Sequence, residues 1–180
     1  HGDNEAELVA AVETLSEIMA KCGGDESATW TAMDEREMKR LHDFRHAVPE
    51  TVNLVIDERR RKEPALTKLG TDMAVGDGDL EKVMALYHSA LAATSLQYVM
   101  FGHVGDNHIH VNVLPTTMEE YEIGKAIYLG WAREVIHHMG GTVSAEHGIG
   151  KLKVALLKEM YGEEGVRQMR AVKQVFDPEF

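Results

Sequence analysis

The sequence predicts an α+β fold in which helices cover a mostly antiparallel sheet. Three observations lead there. Amphipathic helical segments alternate with short β-type runs. Two of those runs flank a tight turn and so make an antiparallel hairpin. No repeat, linker or low-complexity tract breaks the alternation.

The elements follow in order. Asn4 can cap a first helix, Glu5 and Glu7 favour its positive end, and Gly23-Gly24 stop it. Leu8, Val12, Leu15, Met19 and Cys22 recur at steps of four and three, an apolar stripe that puts Cys22 in a core rather than among reactive thiols. Asp34 with Glu37 forms a capping box, and Met33 with Met38 a hydrophobic staple, at the start of a second helix. Its inward row runs Met38, Leu41, Arg45. An arginine there either lays its stem on the core with its head in water or aims its guanidinium into a pocket to hold a carboxylate. A further helix is expected over 49–62. It ends in Arg59-Arg60-Arg61-Lys62, which Asp57, Glu58 and Glu63 turn into a solvated, salt-bridged face. Residues 66–75 read as a strand and Gly76-Asp77-Gly78 as a turn. Asp79 then caps a helix carrying Val83, Leu86, Tyr87 and Ala90. Strands are expected over 97–101 and 109–114. Thr117 with Glu120 opens a long helix through Met139, which Gly140-Gly141 end. Residues 142–146 form a short strand or loop, and helices over 151–161 and 163–176 close the chain.

Composition removes whole classes of function. The 180 residues suit one domain or two small subdomains sharing a core. With 19 basic and 30 acidic residues the net charge is −11, which repels a nucleic acid partner. A single cysteine excludes a disulfide framework and any multi-cysteine metal or iron–sulfur site. There is no apolar run of about 18 residues and no signal peptide, so the cytoplasm is the default compartment. The absence of an initiator Met and the ending Phe176-Asp177-Pro178-Glu179-Phe180 lead us to expect an excised fragment.

The stretch Phe101-Gly102-His103-Val104-Gly105-Asp106-Asn107-His108-Ile109-His110-Val111-Asn112 carries most of the chemistry. With Asp106-Asn107 at the tip of a two-residue turn, 105 pairs with 108, 104 with 109 and 103 with 110. His103 and His110 become cross-strand neighbours about 5 Å apart at Cβ. His108 and Asn112 share their face, while Val104, Ile109, Val111 and Val113 fill the other. Two such imidazoles either grip one metal ion, which a carboxylate would complete, or hydrogen-bond across a solvated sheet face. The second stretch is Thr142-Val143-Ser144-Ala145-Glu146-His147-Gly148-Ile149-Gly150-Lys151. Adjacent Glu146 and His147 point different ways from extended backbone, so one can be a ligand while the other moves a proton. Gly148 and Gly150 let a flat cofactor or another backbone approach. The plainer alternative is a helix N-terminus with an acidic cap. The segment lacks Walker spacing, and no GxGxxG follows a strand, which excludes a Rossmann site. The ten methionines sit mostly on helical stripes and read as core.

Together, Gly102 to Asn112 and Ser144-Ala145-Glu146-His147-Gly148-Ile149-Gly150 closely resemble the C-terminal domain of FAD-linked oxidases. That group holds the glycolate oxidase flavoprotein subunit, D-lactate dehydrogenase and D-2-hydroxyglutarate dehydrogenase, within the vanillyl-alcohol oxidase superfamily. Phe44-Arg45-His46-Ala47-Val48-Pro49-Glu50, Lys68-Leu69-Gly70-Thr71-Asp72-Met73-Ala74-Val75 and Lys173-Gln174-Val175-Phe176-Asp177-Pro178 resemble it too, in the right order, so the likeness spans residues 1–180. It implies a ferredoxin-like α+β cap on the substrate side of a flavin. It further implies a divalent metal such as zinc held by His103, His110 and Glu146. Arg45 and Lys68 would bind the substrate carboxylate, Asn112 would contact substrate and His147 would serve as base. Glu146, His147 and Gly148 would lie beside the cofactor. His108 stands where many relatives have Asn, and Pro49 where some place a Thr that binds a second carboxylate, which disfavours a dicarboxylate.

The implied function is the substrate and metal half of an FAD-dependent D-2-hydroxy-acid dehydrogenase that makes a 2-oxo acid. The implied partners are the FAD-binding domain of the same protein, which binds FAD, and an iron–sulfur electron-acceptor subunit, with membrane association through such a partner. The FAD-binding domain and the Asn-Pro-Gly segment that usually follows Asp177-Pro178 are not in this sequence, so the chain alone is expected to be inactive. The rival expectations are a free-standing metal-binding α+β domain without redox chemistry, and a metal-dependent hydrolase using His147.

Overall fold

A computed structural model describes residues 4–150 and 153–179. The chain divides into two units, the first ending at Pro49 and the second beginning at Glu50. Among the described residues no helix is long and apolar enough to cross a membrane.

In the first unit, α1 (Glu5–Lys21) is capped by Asn4, whose side chain accepts from Ala6 N at 3.0 Å. A short 3-10 turn, Glu26–Ala28, precedes α2 (Glu35–Arg60). The capping box forms with a shift of one residue: Glu37 N donates to Asp34 Oδ1 at 2.8 Å, but the Glu37 carboxylate accepts from Met33 N at 2.9 Å. The expected burial of the α1 stripe is corrected. No residue of α1 is buried, and Cys22 is exposed. A unit of fewer than fifty residues has too little partner surface to bury a helix face. The expected break at Pro49 is corrected as well, since α2 runs through it. A helix can absorb one missing N–H and one carbonyl clash by bending rather than ending.

In the second unit, β1 (Leu69–Gly70), β2 (Tyr98–His103) and β3 (His108–Val113) form an antiparallel sheet in the order β1-β3-β2. Every residue of the central strand β3 is buried. The strand expected over 66–75 shrinks to β1 and a bridge at Ala74. Thr71 explains the gap. Its N–H still donates to Val111 O at 2.9 Å, but the return bond from Val111 N goes to its hydroxyl at 2.8 Å, which donates to Ile109 O at 3.2 Å. Helices α3 (Leu80–Ala92), α4 (Met118–His138) and α5 (Val154–Phe176) pack on this sheet. The core joins Leu69, Val111 and Val113 to Tyr87, Trp131 and Leu156, and the Tyr87 and Trp131 rings meet edge-on at 4.8 Å. The expected division of the last helix appears as a kink at Gly162, φ 67. Its expected start at Lys151 lies outside the described residues. Val52 and Ile56 of α2 pack with Leu114 against Val99 and Phe101. Arg59 is not part of a solvated run: it donates to the Leu114 carbonyl and, at 2.5 Å, to Gln97 Oε1. The fold class is therefore α+β, as the sequence predicts.

The hairpin register differs from expectation by two residues. Phe101 pairs with His110, Gly102 with Ile109 and His103 with His108. Val104–Asp106 form a 3-10 turn, left-handed Asn107 completes it, and Val104 is exposed rather than packed. The turn is held from outside: Val75 N donates to Asn107 O at 3.3 Å, and Asn107 Nδ2 to Asp77 Oδ1 at 3.0 Å. These tertiary bonds favour a four-residue turn over a two-residue one. A shift of two leaves the faces unchanged, so His103, His108, His110 and Asn112 still share one. Gly102 makes the close approach possible, since a Cβ there would lie 2.3 Å from His108 O.

Candidate metal centre

Three imidazoles come from the hairpin and the carboxylate from the segment after α4. His110 Nε2 lies 3.0 Å from Glu146 Oε1, and His103 Nε2 lies 3.8 Å from Glu146 Oε2. One potential ligand atom each from His103, His108, His110 and Glu146 fall within 4.8 Å of one another. Asp72, His110 and His147 make a second, overlapping group by the same measure. His147 stacks on His110, with centroids 5.1 Å apart and planes 11° from parallel, and its Nε2 lies 3.2 Å from Glu146 Oε1.

Glu146 is carried on a loop, so something must hold that loop. Asp72 does this. Its Oδ1 accepts from Glu146 N at 3.1 Å, and its Oδ2 from His147 N at 3.0 Å and Ser144 Oγ at 3.3 Å. Its main-chain oxygen accepts from Ala145 N at 2.9 Å. Lys153 neutralises the buried charge with Nζ 2.7 Å from Oδ2. Burial opposes ionisation of Asp72. The Lys153 hydrogen bond and the Glu146 and His147 N–H groups overcome it and bring the pKa down to about 2.

This shift has a sign. The folded pKa lies below the ordinary 3.8, so ionised Asp72 stabilises the fold above about pH 4. That contribution, about 2 kcal/mol, is lost as the pH falls from about 4 to 2. The urea stability gap between the wild type and Asp72→Asn should therefore close over that interval. A gap that stays constant from pH 5 to about pH 2 would contradict it.

The hydrogen bonds dictate a charge requirement. His110 Nδ1 is 2.9 Å from the Thr71 carbonyl, which can only accept, so Nδ1 carries the proton. The Nε2 lone pair then faces the Glu146 carboxylate, and two acceptors at 3.0 Å need a cation between them, either a proton or a metal ion. An imidazole that donates its other N–H to a backbone carbonyl is the usual arrangement of a metal ligand. Burial works against the charge of Glu146. The His110 hydrogen bond leads the influences that outweigh it and hold the pKa below the usual range. Burial, then the neighbouring His110, push the pKa of His108 down, which keeps that ring neutral and able to coordinate.

The other expected site residues lie on β3, just before β1, after the Glu146-His147 pair and on α2. Asn112 is buried on β3, and its Oδ1 occupies the space a Cβ at Gly70 would need, at 2.7 Å. Lys68 donates to Asn53 Oδ1 at 3.1 Å. It lines a cavity of about 100 Å³ with Gly70, Tyr121, Lys125, Tyr128 and Lys153. Gly148 adopts φ 74 directly after the Glu146-His147 pair. Arg45 lies exposed on the part of α2 in the first unit, whereas the cluster belongs to the second. Sequence reasoning missed Asp72 and Lys153. Both had a signal: an Asp directly before the apolar run Met73-Ala74-Val75, and a lysine at a helix N-terminus, where the dipole disfavours it.

Comparison with known proteins gives the family. The family described as FAD linked oxidases, C-terminal domain, matches residues 1–179. The chain is similar to a D-lactate dehydrogenase of Anaerostipes hadrus, 27% identical over an alignment that covers 98% of this chain and 35% of that protein. It is similar to a D-2-hydroxyglutarate dehydrogenase of Stutzerimonas stutzeri, 39% identical over 85 residues, 46% of this chain and 18% of that protein. It is also similar to the glycolate oxidase subunit GlcD of Bacillus subtilis, 26% identical over 91% of this chain and 33% of that protein. The chain thus spans about a third of the length of two of these relatives and less of the third. It belongs to the family of FAD-linked oxidase C-terminal domains.

Proposed function

We propose, from that family membership and from the metal-ready cluster, that this chain is the substrate- and metal-binding domain of an FAD-dependent 2-hydroxy-acid dehydrogenase. The observation that carries the metal is the protonated Nδ1 of His110, which turns an acceptor toward another acceptor, Glu146 Oε1, at 3.0 Å. His103, His110 and Glu146 would hold a divalent ion, zinc being suited to imidazole and carboxylate. When bound, the ion supplies Lewis acidity to a substrate oxygen and FAD supplies the hydride acceptor. The chain's own residues do the rest. Lys68, in a cavity with two further lysines, would hold the substrate carboxylate by charge-assisted hydrogen bonds. Asn112 would orient the substrate by hydrogen bonding. His147, an imidazole exposed beside Glu146, would take the proton the substrate loses. FAD would be bound mainly by another domain of the same protein, with an iron–sulfur subunit as electron acceptor.

The test uses the whole protein in which this chain lies, purified with FAD. Glycolate or D-lactate should bleach the flavin anaerobically. Removing metal with a chelator should slow bleaching by at least about 10-fold, and added zinc should restore it. A flavin that no 2-hydroxy acid reduces would overturn the dehydrogenase reading. Bleaching indifferent to chelation would overturn the metal.

A further inference from the structure

We propose that His108 is a fourth protein ligand of this metal, so that three imidazoles and one carboxylate surround it; this rests on the metal reading above. His108 is 4% exposed, and its Nε2 is buried with no hydrogen-bond partner among the described residues. An unsatisfied buried nitrogen is costly, so the folded state needs something for it. Asp72 Oδ1 lies 3.3 Å from it, but not in hydrogen-bond geometry. Asp72 Oδ1 accepts from Glu146 N, and Oδ2 accepts from His147 N, Ser144 Oγ and Lys153 Nζ. His108 also packs against the remaining rings, with centroids 4.3 Å from His110 and 5.8 Å from His103. A ring nitrogen of His108 lies within 4.8 Å of the ligand atoms of His103, His110 and Glu146. With His108 Nε2 as its ligand atom, one ion placed among the four would satisfy the buried nitrogen and the facing acceptors together.

The consequence is chemical. Four protein ligands would close a tetrahedral ion, so a substrate oxygen could join only as a fifth ligand. Three imidazoles also favour zinc, iron or cobalt over magnesium or calcium, which prefer oxygen ligands.

The experiment measures Zn²⁺ affinity by competition with a chromophoric chelator, for the 180-residue chain and His108→Asn. Nitrogen-15 NMR of the zinc-loaded wild type reads the His108 ring directly. His108→Asn should weaken zinc by at least about 10-fold without lowering the metal-free melting temperature, and one His108 ring nitrogen should show the metal-bound shift. Should the variant fail to fold, the wild-type NMR decides. Unchanged affinity, or ring nitrogens that do not respond to zinc, would overturn the fourth ligand and leave a three-ligand site standing. Failure of the wild type to take up any zinc would overturn the metal reading beneath it.

Discussion

Glu146→Ala is expected to strip the centre of its metal, weakening zinc binding by at least about 100-fold, while His147→Ala leaves the metal in place. The two residues are adjacent, yet only Glu146 offers an oxygen among the His103, His108 and His110 nitrogens. It is the one anionic member of that group. Without it, neutral imidazoles alone would face a dication and no charge would offset the loss of its hydration. His147 instead lies flat on the His110 ring, with its side chain mostly exposed. Elemental analysis of the purified variants after exhaustive dialysis reads the difference. Metal retained in Glu146→Ala but lost in His147→Ala would mean that the two roles are exchanged.

Asp72→Ala should carry the largest stability penalty, about 3–5 kcal/mol, in the range for breaking a buried ion pair from one side. The substitution leaves the Lys153 ammonium buried and deprives Glu146 N, His147 N and Ser144 Oγ of their acceptor. The loop carrying Glu146 would lose its anchor, so zinc affinity should fall with stability even though Asp72 lies outside the four-residue group. Urea unfolding and zinc titration together check this. A double-mutant cycle with Lys153→Met should recover part of the loss, because the orphaned charge is then removed. A stability cost below about 1 kcal/mol would show that Asp72 does not organise the loop.

Much of the site was legible because its parts are local. Period-two alternation assigned His103, His108, His110 and Asn112 to one sheet face, and a register shift of two residues could not change that. The exact pairing was not legible. Asn107 is bonded to Val75 and Asp77, some thirty residues earlier, and those bonds lengthen the turn. The strand expected over 66–75 failed for a related reason: the Thr71 hydroxyl bonds β3 where a main-chain rung was predicted. Cys22 shows the reverse error. A correct helical stripe was read as burial, and periodicity says which residues share a face but not what lies opposite it.

By itself the sequence determined the helix starts at Asn4 and Thr117, the α+β class, the shared histidine face and, through its motifs, the family. Those properties depend on neighbours a few residues apart, where caps and side-chain periods act. The tertiary structure alone decided that Asp72 would meet Lys153, 81 residues away, and through Glu146 N and His147 N aim the carboxylate at the imidazoles. It alone decided that His108 Nε2 would be buried without a hydrogen-bond partner among the described residues. A buried charge or ring nitrogen is satisfied by whatever packing brings near it, and packing is a property of the whole core rather than of any segment of the chain.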